Sequence, residues 1–368
     1  MEKEKKTDNL GKGEDKEIEK SQEEPMEEIK APGWDAIDNE LNKIYPDIEG
    51  IHYGNISPFG EERLKGITVY DVAIIGAGIT GCAIAYELGK YNVKAVIVEK
   101  ENDVSVGTTK ANSAIIHGGY DPKPGTKMAE YNIKGNVYTK ELCEKLNVPY
   151  KQIGALVVAF SEEEKKTLEE LKQRGITNGV PDMEIWDKEK LLKEEPNLSD
   201  KAVAALSSPN VGIVSPWELA LALAETAVLN GVEVKLNTEV SGIEKENDTY
   251  KIETNNGVIE AKYICNAAGV FADKVNEMCN EKTFEITPNK GEYYLMDKSQ
   301  GNLVNHVIFQ CPNEKGKGVL VAPTVHGNLI VGPDSQPSAA NDVSTTKQGL
   351  DFVRNTALKS VPGINFRE

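Results

Sequence analysis

Glycines spaced G-x-G-x-x-G in Gly76-Ala77-Gly78-Ile79-Thr80-Gly81, with a carboxylate at Glu99, form the clearest chemical pattern in these 368 residues. Each residue type has a physical job at a dinucleotide. Gly76 permits a tight turn, Gly78 lets the backbone approach a pyrophosphate resting on a helix N-terminus, and Gly81 lets that helix pack on the preceding strand. Glu99 stands 18 residues beyond Gly81, where an acid accepts hydrogen bonds from a ribose and its charge disfavours a 2′-phosphate. The blander reading is a glycine-rich turn in an ordinary α/β domain. Strand, glycines, helix, strand and acid in register favour the nucleotide, but they do not separate NAD from FAD.

Those residues need a βαβ unit to place them. Asp71-Val72-Ala73-Ile74-Ile75 is a short apolar strand, residues 80–90 carry apolar side chains at helical spacing, and residues 94–99 give a second strand. The pattern predicts an α/β fold: a Rossmann-like parallel sheet with an inserted mixed or antiparallel β-sheet. Helices are expected at 127–146, 161–175, 216–231 and 345–358. Strands are expected at 155–160, 292–296, 304–309, 319–322 and 329–331, with a hairpin turning at Asn256-Gly257. The nucleotide-binding layer is assigned to 70–152 and 205–283 and the second layer to 153–204 and 284–343. Residues 344–368 are left as a helix and an incomplete terminus.

Composition limits the partners. The 59 acidic against 42 basic side chains give a net charge of −17, which argues against a nucleic-acid footprint. No apolar run reaches the ~18 residues that span a bilayer, so no transmembrane segment is predicted. Cys82, Cys143, Cys265, Cys279 and Cys311 are an odd set without a C-x-x-C pair, so neither a disulfide framework nor a metal site is indicated. The start of the chain lacks the apolar core of a signal peptide, which points to the cytoplasm, with peripheral contact at the inner face of the membrane left open.

The first thirty residues hold 11 acidic and 7 basic side chains and no aromatic, a composition that predicts disorder. Residues 31–69 differ. Pro32-Gly33-Trp34-Asp35-Ala36-Ile37, Tyr45-Pro46-Asp47, His52-Tyr53-Gly54 and Gly66-Ile67-Thr68-Val69 resemble the opening of suppressor-of-fused-like domains.

A longer resemblance begins at Tyr70 and runs to about Gly363. Gly107-Thr108-Thr109-Lys110-Ala111-Asn112-Ser113, then Ile115-Ile116-His117-Gly118-Gly119, Gly212-Ile213-Val214-Ser215-Pro216, Asn266-Ala267-Ala268-Gly269 and Gly316-Lys317-Gly318-Val319 occur in order. In these the sequence resembles the glycine/D-amino-acid-oxidase type of FAD-dependent oxidoreductase. The nearest likeness within that type is to the bacterial glycerol-3-phosphate oxidases and dehydrogenases, with L-2-hydroxyglutarate oxidases as cousins.

The resemblance implies FAD as cofactor. It places Gly76, Gly78, Thr80 and Gly81 at the pyrophosphate, and Glu99 and Lys100 near the adenosine ribose. Thr108, Thr109, Asn112 and Ser113 would line the phosphate–ribityl–flavin path, Val240 would meet the adenine through its backbone, and Ala268 and Gly269 would close on the nucleotide. It also implies oxidation of sn-glycerol 3-phosphate to dihydroxyacetone phosphate, with hydride passing to the flavin. His117, one of four histidines, would be the base, since imidazole titrates near working pH; the alternative is a satisfied buried histidine. Lys317 would hold the substrate phosphate, and Lys290 reads better as a strand-edge lysine.

Two other functions stay open: a 2-hydroxy-acid oxidase or dehydrogenase, such as one for L-2-hydroxyglutarate, and an inactive flavoprotein or interaction protein. The electron acceptor, whether oxygen, a quinone or a redox protein, is not specified. The resemblance also implies a continuation past the end, with an arginine for the phosphate and a Ser-Pro-Gly loop over the flavin. Arg354 and Arg367 do not sit in that motif, so weakened flavin retention and an exposed apolar edge are expected.

Overall fold

The computed structural model describes residues 69–312 and 318–367. The charged lead, the suppressor-of-fused-like stretch up to Thr68, and Lys317 lie outside the described residues.

Strand β1 (Val69–Ile75) leads into helix α1 (Ile79–Leu88) and β2 (Ala95–Val98), the βαβ unit expected from the sequence. After the short β3 (Ile115–Ile116) come α2 (Lys127–Lys145), β4 (Tyr150–Gln152) and β5 (Ala155–Ala159). Helix α3 (Glu162–Asn178), β6 (Glu184–Asp187), α4 (Lys188–Glu194), β7 (Ala204–Ser208) and β8 (Gly212–Val214) follow. Helix α5 (Pro216–Leu229), β9 (Glu233–Lys235), β10 (Val240–Glu246), β11 (Thr249–Thr254), β12 (Gly257–Asn266) and α6 (Ala272–Glu277) complete the middle. The rest comprises β13 (Asn289–Lys290), β14 (Tyr294–Met296), β15 (Val307–Gln310), β16 (Leu320–Pro323), β17 (Leu329–Gly332), β18 (Gln336–Pro337) and α7 (Lys347–Ser360).

The first sheet has the order β10-β11-β12-β1-β2-β9. Its centre is parallel, β12 with β1, β1 with β2 and β2 with β9, while β10 to β12 form an antiparallel meander. All four residues of β2 are buried, the continuous apolar run of a strand covered on both faces. Alternation then divides the layers. Ile74 and Ile97 face α1 and α5, packing with Cys82, Ala85, Leu219 and Leu223. Ala73, Ile75, Val96 and Val98 face the other way, against Ile243, Ile252 and Ile259 of the meander.

The second sheet has the order β14-β17-β16-β15-β5-β7-β6, antiparallel apart from the parallel β5–β15 pair. Leu156, Val158, Ile308 and Val321 bury one face under Val353 and Ala357 of α7. Val157, Ala159, Leu206 and Phe309 bury the other under Leu168 and Leu171 of α3. The fold is thus α/β, with a Rossmann-like parallel sheet joined to a mixed sheet.

Two local details depart from the sequence reading. The hairpin turns at Asn255-Asn256, with Gly257 already paired to Thr254; the left-handed φ of +103° at Gly257, which glycine adopts at little cost, carries the chain out of the turn into β12. Ala204–Ser208, assigned from 205 to the nucleotide-binding layer, pairs with β5 and β6 of the second sheet, and β8 after it lies between β3 and β4 in a three-stranded sheet. Among the described residues no helix is long and apolar enough to cross a membrane.

Candidate active site

The glycine turn sits at the C-terminal end of β1, between β2 and β12. Gly76 adopts φ of +103°, and a Cβ there would lie 2.5 Å from the Ala267 carbonyl oxygen and 3.2 Å from Ala268 Cα. Its N–H donates to Val98 O at 2.9 Å. A Cβ on Gly81 would lie 1.9 Å from Gly76 O, so α1 can cross the strand end only with glycine there. Gly78 is the N-cap of α1, with no side chain to cap it and no acid in the first turn. Apart from the Ile79 N–H, which Thr109 holds, that leaves the positive end of the helix dipole open to an anion. Thr80, on the same turn, is exposed.

Glu99, at the end of β2, accepts from the backbone N–H of Ala77 at 2.6 Å and of Glu101 at 2.9 Å. Its carboxylate therefore fixes the middle residue of the glycine turn. Burial pushes the Cys82 thiol, 3.3 Å from Ala77 O, up to about 12, with the Glu99 charge adding to the effect. The cysteine is thus a neutral packing group under the turn. Lys100 lies over the Phe271 ring at 4.5 Å, beside the 3-10 turn Gly269–Phe271. Gly269 itself has φ of +57° and open space around it. The backbone before Val240 also meets this end, since the Thr238 N–H donates to Glu99 O at 2.7 Å.

The second loop reaches the cradle through Thr109, whose hydroxyl accepts from the Ile79 N–H at 2.9 Å. Thr109 is buried and Thr108 exposed. Asn112 works on its own turn: its amide donates to Thr108 O at 3.1 Å and Thr109 O at 2.8 Å, and its oxygen accepts from the Ala114 N–H at 2.8 Å. Ser113 hydrogen-bonds Tyr293, whose phenol burial holds above its ordinary value against that bond. Gly76, Gly78, Gly81, Glu99, Thr109 and Ala268 are therefore directly linked, and Lys100, Asn112, Ser113, Val240 and Gly269 border them.

If Glu99 holds the turn, Glu99→Ala removes two charge-assisted hydrogen bonds. It should destabilise the flavin-free chain by on the order of 2 kcal/mol, lowering its Tm by several degrees, with Glu99→Gln recovering part of the loss. An unchanged Tm in differential scanning calorimetry would show that the turn is held otherwise.

His117 follows β3 and is half-buried, its ring stacked on Phe309 of β15 with centroids 6.1 Å apart. Its carbonyl accepts from the Asn136 side-chain amide at 3.1 Å. The other described histidines lie elsewhere. His306 Nδ1 is 2.6 Å from the fully buried Glu195, and His326 stacks on Trp217, 3.4 Å from Glu218. Lys290 is committed to a surface strap: Nζ donates to Asp342 at 2.9 Å and to Ser344 O at 2.8 Å. The Ser344 hydroxyl and then Lys290 hold the Asp342 carboxyl well below the usual range. Arg354 lies over the Phe366 ring.

Sequence reasoning missed Tyr293 and three asparagines, Asn136, Asn178 and Asn210, that bind the backbone around His117. No local sequence signal marks the asparagines: Asn136 lies within a helix of mixed polarity, and its burial, which demands partners, shows only in the structure.

A parallel sheet with a glycine cradle at its strand ends, together with a mixed sheet and a histidine just past β3, is the architecture of a flavin-dependent oxidoreductase. The family model described as FAD dependent oxidoreductase matches residues 71–368, and the chain belongs to that family. It is 53% identical over 294 residues to the glycerol 3-phosphate dehydrogenase of Caloramator mitchellensis, across 80% of this chain. That match spans 61% of the relative's length. It is also 37% identical over 305 residues to the glycerol 3-phosphate oxidase of Mycoplasma pneumoniae, covering 80% of this chain and 79% of the other. The solved structure of dithionite-reduced L-alpha-glycerophosphate oxidase from Mycoplasma pneumoniae with FAD bound gives a TM-score of 0.78 at 36% identity. It covers 82% of this chain and 80% of that one. The cradle fits the dinucleotide half of FAD: no Cβ intrudes at Gly76 or Gly78, the helix start is free of acids, and a carboxylate ends β2.

Proposed function

We propose that this chain oxidises sn-glycerol 3-phosphate to dihydroxyacetone phosphate. The observation that carries the reading is His117, set just past the turn that abuts the glycine cradle and packed on Phe309. The identity to glycerol 3-phosphate dehydrogenase and oxidase supports the substrate. FAD, when bound, supplies the acceptor for a hydride. The backbone of Gly76, Gly78 and Gly81, with Thr80, would hold its pyrophosphate, and Glu99 and Lys100 would flank the ribose. Thr108, Thr109, Asn112 and Ser113 would shape the path toward the ring, with Val240, Ala268 and Gly269 around the nucleotide. His117 takes the proton of the C2 hydroxyl as the C2 hydride leaves, so substrate loses one proton and one hydride and becomes the ketone. Lys317 would anchor the phosphate as a point charge.

Substrate choice is tested by comparing kcat/KM, with an artificial dye as acceptor, for sn-glycerol 3-phosphate and L-2-hydroxyglutarate. The reading requires the phosphate ester to be much the better substrate. Lys317→Glu should then lower kcat/KM for the ester by about ten- to a hundredfold, chiefly through KM, as loss of a charged hydrogen bond does. Equal changes for ester and hydroxy acid would refute the phosphate assignment.

A further inference from the structure

We infer that Asn136, Asn178 and Asn210 form a clamp that positions the His117 imidazole; the inference rests on the reading of His117 as the proton acceptor. Ladder pairing ends with β3 at Ile116, so the next carbonyls leave the sheet and must find other donors. Three consecutive ones each receive a side-chain amide. Asn136 Nδ2 donates to His117 O at 3.1 Å, Asn210 Nδ2 to Gly118 O at 2.9 Å and Asn178 Nδ2 to Gly119 O at 2.9 Å.

The donors come from α2, from the turn between β7 and β8, and from the last residue of α3, and each of the two helical ones makes a second bond. Asn136 also donates to Asn210 O at 2.9 Å, and Asn178 to Pro122 O at 2.9 Å. The Asn210 oxygen accepts from the Ser208 hydroxyl at 2.8 Å, which sets the face its amide presents. The glycines make the grip close. A Cβ on Gly118 would lie 2.5 Å from Ser208 Oγ and 2.6 Å from Asn210 Oδ1, and one on Gly119, at φ of +100°, would lie 2.2 Å from Ile133 Cδ1.

Fixing the carbonyl of His117 and those of the two residues after it fixes the direction in which its Cα–Cβ bond leaves the chain. Stacking on Phe309 supports the ring but tolerates sliding in its plane. The clamp limits that sliding by tying the backbone at the histidine to α2, to α3 and to the turn between β7 and β8. Misplacing a reacting group by about 1 Å can cost about a hundredfold in rate, so the amides act on the reaction through His117 without touching substrate.

The test uses the FAD-loaded chain and anaerobic single-turnover reduction by saturating sn-glycerol 3-phosphate. Asn136→Ala and Asn210→Ala are each made alone and in a His117→Gln background, and flavin content, KM and Tm are measured alongside. The clamp predicts a slowing of about ten- to a hundredfold, with KM and flavin content little changed, and no further slowing in the His117→Gln background. Should Asn136→Ala fail to fold, Asn136→Asp keeps the shape but replaces the donor with an acceptor, and Asn210→Ser removes the reach; both should show the same pattern. The clamp is overturned if the single variants reduce at the parental rate, or if the same slowing recurs without His117, which is the mark of a purely structural role. A parental rate in His117→Gln alone overturns the reading on which the clamp rests. A slow His117→Gln beside fast asparagine variants overturns the clamp only.

Discussion

His117→Gln should give a protein that stays yellow yet is reduced by sn-glycerol 3-phosphate about 10²- to 10⁴-fold more slowly, the range of a lost general base. Glutamine preserves much of the volume stacked on Phe309 and the carbonyl that Asn136 binds, so flavin content and Tm should change little. His306→Gln provides the contrast. Its ring pairs with Glu195, a fully buried carboxylate, so its loss should lower Tm and leave the reduction rate alone. Stopped-flow reduction, with Tm measured alongside, checks both; a His117→Gln protein reduced at the parental rate would remove this residue from the chemistry.

Gly76→Ala should abolish flavin retention, with affinity lowered by at least about a hundredfold, since close placement of binding groups governs such sites. The new methyl meets backbone and not a movable side chain, at 2.5 Å from Ala267 O and 2.9 Å from Ala267 C. The φ of +103° is also one that alanine rarely adopts. Either β12 or the turn must move, and both line the cradle. Gly125→Ala is the control: φ there is +78°, but nothing lies within 4 Å of a new Cβ. Its cost is about 1–2 kcal/mol of backbone strain, with flavin retained. The flavin-to-protein absorbance ratio of the purified variants, followed by calorimetric titration with FAD, separates the two; a yellow Gly76→Ala protein would contradict the cradle.

The βαβ unit was legible because its signals are local. Apolar runs mark β1 and β2, and the glycines mark the turn; α1 begins and ends within two residues of the expected 80–90 span. The second sheet was harder to read. Glu184–Asp187 reads half polar and becomes a strand only by pairing with Ala204–Ser208, while Ala155–Ala159 finds its parallel partner about 150 residues away. Long-range pairing leaves little trace in a local pattern. The asparagine clamp was hidden for the same reason: Asn136 sits inside an ordinary amphipathic helix, and its partners are 19 and 74 residues distant. Lys290 illustrates the opposite case, where the plain reading of a strand-edge lysine agrees with its contacts to Asp342 and Ser344.

The visible spectrum of the purified chain, before and after anaerobic addition of sn-glycerol 3-phosphate, tests the central claim most directly. The account predicts a flavin absorption band that bleaches on addition, with one dihydroxyacetone phosphate formed for each flavin reduced. A band that persists with this substrate, in protein that dithionite still bleaches, would contradict it.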